Sequence, residues 1–366
     1  MPKGTRKSND VGKSMSDASK GLSRRSVLLS ASGLSVAGLF PATSAYAVPA
    51  ADTNVAEEAF EATADKVIDA LEGVYGLHPG KRRNHTKGVG ALGTFVGNPG
   101  AAELSRSQLF SGQKIEVVAR FSIAGGNPDV SDADRGTRGL GLEFRLPGGA
   151  LHHITMLNTP MFFATVPQTF LDRFVAMKPD PATGKPDAER VSAFISSHPD
   201  FHGQATFLKD HNPPPSYANC AFYGIHTFKF VDRHDKATMV RWRFAPRDGE
   251  KQLSDAELAT MPGDFLENVL MERIRQSPIH WDMLVAIGEP GDPEDDPTVL
   301  WPTDRREINA GTLTIVSAMS DPTAGSYKIN FDPLMMADGI APTNDPVLLF
   351  RSPSYAVSHT RRLRDL

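Results

Sequence analysis

The sequence predicts an α+β fold in which a twisted antiparallel sheet or closed barrel carries helices at its edges. Three observations predict it. Five segments of strand-like composition follow one another between glycine-rich or polar turns. An amphipathic helical pattern precedes them and another follows. No regular alternation of strand and helix, of the kind that winds a parallel sheet, runs along the chain.

The first element is not part of the predicted core. Ser23-Arg24-Arg25-Ser26-Val27-Leu28-Leu29 leads into an Ala/Gly/Ser-rich apolar run to Leu39, and then into Ala45-Tyr46-Ala47. A basic stretch, a modest apolar run and small residues before a cleavage point make residues 1–47 read as a signal peptide. The run is too short and too weakly apolar for a membrane span, so no stable membrane anchor is expected. Arg24-Arg25 resembles the twin-arginine signal, although Val27 and Leu29 stand where Phe and Lys are usual. A chance pair in a general secretory leader is the alternative. The expectation is export to the periplasm by the twin-arginine route, with residues 48–366 forming a single domain.

Val55, Ala59, Ala62, Val67, Leu71 and Val74 recur at helical spacing, which predicts a helix from about Asn54 to Tyr75. Gly76, Pro79 and Gly80 end it. The predicted strands are Ile115 to Ile123, Gly139 to Leu146, His152 to Met156, Ala221 to Val231 and Thr238 to Phe244. Asp180 to Arg190, with two prolines and Gly184, reads as a loop. Helical patterns follow around Asp255 to Arg275. A strand at Trp281 to Ile287, a Pro/Asp-rich connection at Glu289 to Pro297 and a short strand at Leu313 to Ser317 complete the series.

Composition narrows the function classes. The 366 residues are 40% hydrophobic and 22% charged, an ordinary globular balance. A net charge of -4 offers no global positive field for nucleic acid, so arginine clusters need a local explanation. The single cysteine, Cys220, excludes an intrachain disulfide framework and a cysteine-ligated metal cluster. It reads as a buried small hydrophobe.

Taken alone, Arg82-Arg83-Asn84-His85-Thr86-Lys87-Gly88 is a solvated basic turn. The segments after it change that reading: Arg120-Phe121-Ser122, Asn158-Thr159-Pro160-Met161-Phe162-Phe163, Tyr223-Gly224-Ile225-His226-Thr227-Phe228-Lys229, and the closing Arg351 to Leu363. In this order they resemble the catalase family, from about Lys81 to Leu363. The most specific motif is the last, R-x-x-x-Y-x-x-x-H-x-x-R-L, with Arg351, Tyr355, His359 and Arg362.

The resemblance implies a catalase-type antiparallel β-barrel with flanking helices and a haem b cofactor. By it, His85 is the distal histidine, Asn158 the distal amide, and Ser122 the partner of the other imidazole nitrogen. Cleaving a peroxide requires moving a proton from its inner to its outer oxygen, which suits an imidazole. Phe162, Phe163 and Phe170 would give apolar cover. Tyr355 would hold the iron as a phenolate, the ligand known for catalase. A free tyrosine titrates near about 10, so Arg351, one helical turn away, is expected to hold it ionised. His226 and Asp345 match a hydrogen-bonded relay behind that arginine. Arg82, Arg120 and Arg362 match the ligands of the two haem propionates.

Two pairs of histidines carry blander readings. His152 and His153 are adjacent on a strand and face opposite ways, so a shared metal ion is not expected. His198-Pro199-Asp200-Phe201-His202 reads as helix capping and turn.

Departures from the family pattern shape the expected activity. The long catalases continue past the residue matching Arg362 with a wrapping segment and a helical domain. A minimal version with an open pocket is therefore expected, with a homodimer rather than an interlocked tetramer. Arg135-Gly136-Thr137-Arg138-Gly139 puts Gly136 where the long enzymes carry the acid of their peroxide channel. Asn84 stands before the distal histidine in place of Val, which leaves a lyase-like rearrangement of hydroperoxides as a side possibility. The expectation is a haem peroxidase that reduces hydrogen peroxide or an alkyl hydroperoxide with a small organic reductant, with weak catalase activity. The alternatives are a true catalase and, in another class, a periplasmic haem carrier.

Overall fold

The computed structural model describes residues 62–321 and 323–365. The predicted leader and the first residues of the predicted helix lie outside them. Helix α1, Ala64–Tyr75, is capped by Thr63, whose Oγ1 accepts from the Lys66 amide at 3.3 Å. It ends at Gly76, whose φ of 79° favours glycine.

Strands β1 (Gly88–Gly97), β2 (Lys114–Ile123), β3 (Arg138–Arg145) and β4 (Leu151–Leu157) form an antiparallel meander. Helices α2 (Pro167–Met177), α3 (Ala188–Ser197) and α4 (His202–Asp210) follow as an excursion. The chain returns through β5 (Phe222–Tyr223), β6 (Phe228–Val231) and β7 (Ala237–Pro246). Helix α5 (Leu266–Gln276), β8 (Ile279–Ile287), β9 (Glu307–Ser320), β10 (Ile340–Pro342) and helix α6 (Pro346–Arg364) complete it. Strand order β7-β5-β4-β3-β2-β1-β9-β8, closed by β8 pairing back to β7, makes an antiparallel barrel of eight strands, with β6 and β10 extending it beside β7.

The barrel is filled by side chains at every second position. Along β8, Ile279, Trp281, Met283 and Val285 are fully buried while the residues between them are not. Phe121 lies at the centre, with ring centroids of Tyr217, Trp281 and Phe222 at 5.1, 5.7 and 5.9 Å. A second apolar cluster sits outside the barrel, where Val67, Ile68 and Leu71 of α1 meet Phe163, Leu171 and Phe174.

Several boundaries differ from the sequence reading, each for a physical reason. The sequence reading assigned no element to 89–97, which together with Gly88, the end of the basic turn, forms β1, the most glycine-rich strand. A Cβ at Gly90 would lie 2.2 Å from the Ala324 Cβ, so glycine there permits close packing rather than chain reversal. The strand expected at Ala221 to Val231 is broken into β5 and β6, and His226 falls in the gap. Residue 190 is helical, because Asp187 caps α3 by accepting from the Arg190 amide at 2.8 Å. The pattern at 255–275 is two helical pieces, 255–258 and α5, split around Pro262-Gly263.

Candidate active site

A cavity with an empty volume of about 1310 Å³, counted to its open mouth, lies between the barrel wall, α1, α2 and α6. Strand register assembles one wall. Gly88 pairs with Ser122, Ser122 with Gly139, and Gly139 with Leu157, so the loop before β1 is brought over the ends of β2, β3 and β4.

His85 sits on that loop with φ of 54°, a left-handed conformation unusual for a non-glycine residue. Neighbours over-determine it. Asn84 Oδ1 accepts from the amides of His85 at 2.9 Å and Gly125 at 2.7 Å. Arg120 donates to the carbonyls of His85 at 2.8 Å and Thr86 at 3.1 Å. The imidazole then packs against Gly139, where a Cβ would come within 2.7 Å of the ring. Its Nδ1 is 3.0 Å from Ser122 Oγ, and that hydroxyl can donate onward to the Gly139 carbonyl at 3.5 Å. Burial first, and then the charges of Arg120, Arg351 and Arg82, push the imidazole pKa down to about 3. His85 is therefore neutral, with Nε2 left for a ligand.

The opposite wall is α6. Its N-cap, Asp345, accepts from the amides of Val347 at 2.8 Å and Leu348 at 3.1 Å through Oδ1. The other oxygen accepts from His226 Nδ1 at 2.6 Å. That bond fixes the tautomer, so His226 Nε2 accepts from Arg351 at 3.0 Å. Arg351 in turn donates to the Tyr355 hydroxyl at 2.8 Å and to Thr155 Oγ1 at 2.6 Å. Burial lowers the His226 pKa and keeps the ring neutral, consistent with its role as acceptor from a guanidinium. The expected relay from Tyr355 through Arg351 and His226 to Asp345 is thus continuous.

At the end of the cavity where Arg82, Arg120 and Arg362 converge, positive charge is in excess. Arg120 is paired with Asp321, Nε to Oδ2 at 3.0 Å. Arg82 donates to the carbonyls of Ser326 at 3.0 Å and Ile329 at 2.9 Å, yet its Nε is buried with no acceptor. Arg362 is 2% exposed, and neither Nη1 nor Nη2 has an acceptor. Burial first, and then repulsion from Arg120, lower the pKa of both Arg82 and Arg362. Buried guanidinium donors without partners fit an anionic ligand, and a group carrying two carboxylates at one edge satisfies them. With Tyr355 on one face, His85 on the other and apolar walls between, the residues present fit a haem.

Not every expected residue reaches the cavity. Asn158 does not line it: its Oδ1 accepts from the Arg138 amide at 2.7 Å, which leaves its amide nitrogen as the end able to donate. Phe162 and Phe170 line the wall, whereas Phe163 lies behind them with centroids at 4.5 and 5.5 Å. Arg120 chiefly positions the His85 loop. Gly136 does not line the cavity, and a Cβ there would meet nothing within 4 Å. Asn84 also lines the cavity, but its oxygen holds the backbone of the His85 turn. The sequence reading missed Thr155, Asp321 and the α1 residues Val67, Ile68 and Leu71, which are ordinary residue types made functional only by placement.

The two histidine pairs singled out in the sequence, and the cysteine, lie outside the cavity. His153 Nε2 meets Glu143 at 3.2 Å, and His152 Nδ1 accepts from the Ala337 amide at 3.2 Å. His198 closes α3 with its ring stacked on Phe194, and His202 bonds the Ile195 carbonyl. Cys220 is buried, with its thiol pKa raised by that burial. Among the described residues no His/Cys/Asp/Glu cluster could hold a metal ion, and no helix is long and apolar enough to cross a membrane.

Comparison with known proteins agrees with this geometry. The family model described as Catalase matches residues 78–365. A "Catalase-related peroxidase" of Synechococcus elongatus is 50% identical over 83% of this chain and 90% of its own length. Another of that name, from Mycolicibacterium paratuberculosis, is 32% identical over 81% of this chain and 93% of its own. A solved bacterial catalase superposes with a TM-score of 0.70 at 26% identity, covering 77% of this chain but 57% of that longer one.

Proposed function

The chain belongs to the catalase family, and from that premise we propose that it is a haem-dependent peroxidase reducing hydrogen peroxide or an organic hydroperoxide with a small organic electron donor. The observation that carries the reading is one cavity holding both a neutral, oriented His85 and the Tyr355–Arg351–His226–Asp345 relay. A haem carrier has no use for the first. Haem b supplies, when bound, the redox centre at which the peroxide bond is cleaved.

The chain's own residues divide the remaining work. Ser122 and the Gly139 carbonyl orient Nδ1 of His85, so Nε2 can take a proton from one peroxide oxygen and return it to the other. On the other face, Arg351 donates to the Tyr355 oxygen and would hold it oriented as the ligand of a bound haem. Arg82 and Arg362, whose buried donors lack acceptors, would hold a bound haem by pairing with its propionates.

Peroxidase rather than efficient dismutase activity follows from the walls. Among the described residues no Asp or Glu lines the cavity, and α1 contributes Val67, Ile68 and Leu71. Without a carboxylate to orient a small dipole, an apolar entrance favours organic donors. The leader read at residues 1–47 supports export to the periplasm.

His85→Ala in the haem-loaded protein is the test. The variant should keep its haem absorption while peroxide-driven oxidation of a phenolic dye falls by roughly 10²–10⁴-fold. Unchanged turnover would remove the assignment. Rapid, saturating oxygen evolution from hydrogen peroxide by the unaltered protein, with poor dye oxidation, would make it a true catalase instead.

A further inference from the structure

Away from the haem cavity, α2 and α3 enclose a second cleft, lined by Met177, Pro186, Val191, Phe194, Ile195 and Phe201 among others, with Ser192 and Arg173 contributing its polar atoms. Arg173 is anomalous. Among the described residues it has no hydrogen-bond or ion-pair partner, and its Nε is buried without an acceptor. Its guanidinium instead lies over the rings of Phe163, Phe201 and Phe174, at 4.3, 5.3 and 5.4 Å from their centroids.

Asp172, its neighbour in sequence, and Asp200, beside Phe201, are engaged elsewhere. Asp172 accepts from Gln168 at 2.7 Å and pairs with His198 at 3.3 Å. Asp200 Oδ2 accepts from the Thr165 amide and hydroxyl and from Thr169, at 3.0 to 3.1 Å. Ring faces compensate part of the charge through the π-cloud, but they contact the guanidinium plane and leave Nε, in that plane, without an acceptor. Burial lowers the pKa of the group, opposed by the nearby Tyr75 phenol.

We propose that the cleft between α2 and α3 binds an amphipathic carboxylate, its head group paired with Arg173 and its hydrocarbon chain lying along the apolar wall. A carboxylate would accept two parallel N–H bonds from the guanidinium edge, the geometry that arginine serves better than lysine. The apolar lining, with Ile195 38% exposed at the rim, would then be covered by the chain. A small anion such as acetate fills only the first requirement, and a cationic amphiphile only the second. The site is separated from the haem cavity by Phe163, which contacts Arg173 on one side and the cavity-lining Phe162 and Phe170 on the other.

The test is calorimetric titration of the haem-loaded protein with dodecanoate, beside acetate and dodecyltrimethylammonium. Dodecanoate should saturate a single site without moving the haem absorption band, and the two controls should bind far more weakly. Arg173→Met should weaken dodecanoate by about tenfold or more, as expected for loss of a charge-assisted pair, and Arg173→Lys should restore part of it. Val191→Trp fills the cleft and leaves Arg173 in place, so it reports on the site even if the Arg173 variants fail to fold; it should abolish binding. Absence of saturable binding, or binding that survives both Arg173→Met and Val191→Trp, would overturn the proposal. So would equal affinity for acetate, or a shift of the haem band on titration, which would put the ligand in the haem cavity.

Discussion

His226 donates through Nδ1 to the carboxylate of Asp345 at 2.6 Å, and both side chains are 1% exposed. The same carboxylate caps α6, the helix that carries Arg351 and Tyr355. Orientation of the helix and the tautomer of the imidazole are therefore set by one residue.

Asp345→Asn separates the two roles. Asparagine caps a helix about as well as aspartate, so Oδ1 keeps the two backbone amides. The amide nitrogen is then presented to His226, which must accept at Nδ1 and carry its proton on Nε2. That proton would face the Arg351 donor now held at 3.0 Å. The fold should lose about 1–3 kcal/mol in denaturant unfolding, and haem should pass faster to an acceptor globin. A variant unchanged in both measurements would show that the relay is inert.

The bond from Ser122 to His85 orients but does not react. Ser122→Ala should lower peroxidase turnover by about tenfold, well short of the loss expected for His85→Ala, with haem content and melting temperature nearly unchanged. Ser122→Thr should recover much of the rate. Equal damage from Ser122→Ala and His85→Ala would mean that the hydroxyl itself takes part in proton movement.

Much of this site was legible before any coordinates, because its chemistry needs rare residue types at fixed spacing. Arg351 and Tyr355 are one helical turn apart, and that turn exists in α6. His85 and Ser122 were paired by resemblance, and register places them together. What escaped detection depends on contacts distant in sequence. β1 was assigned no element because Gly88, Gly90, Gly93 and Gly97 are a residue type that usually breaks strands, yet a Cβ at any of them would collide with a neighbouring segment. Asp321 is an ordinary acid until β9 returns it beside Arg120, 201 positions earlier in the chain. Asn158 and Phe163 were read as cavity residues from motif alone. Spacing could not reveal that one turns its oxygen to the Arg138 amide and the other backs a second ring layer.

Arg362 gives a prediction of opposite sign in the two states of the protein. Its terminal nitrogens are buried without acceptors, so it destabilises the haem-free fold. Arg362→Met keeps the side-chain stem, removes the charge and should raise haem-free stability by about 1–2 kcal/mol. Haem affinity should fall by about tenfold or more as a propionate loses its partner. Thermal unfolding with and without haem checks both halves. A parallel loss of stability in the haem-free form would show that Arg362 is a structural cation, not one held for a ligand.

Acid sensitivity of the haem-free fold follows from two buried neutral imidazoles. Burial is the largest cause pushing both His85 and His152 from 6.5 to about 3. Between those values the unfolded chain binds a proton at each position and the folded chain does not. Stability therefore rises with pH across that window and falls on acidification. The slope is about 1.4 kcal/mol per pH unit for each histidine once the unfolded form is protonated. Below about pH 3 these two terms level off. Urea midpoints measured from about pH 7 to about pH 4 should decline steeply, and His152→Met should flatten the decline while leaving the His85 contribution. His152 is the better residue to replace, since it lies outside the haem cavity and its one bond is from the Ala337 amide. Midpoints that stay level across that range would show that the imidazoles charge inside the folded protein. A slope identical in His152→Met would assign the acid lability to other groups.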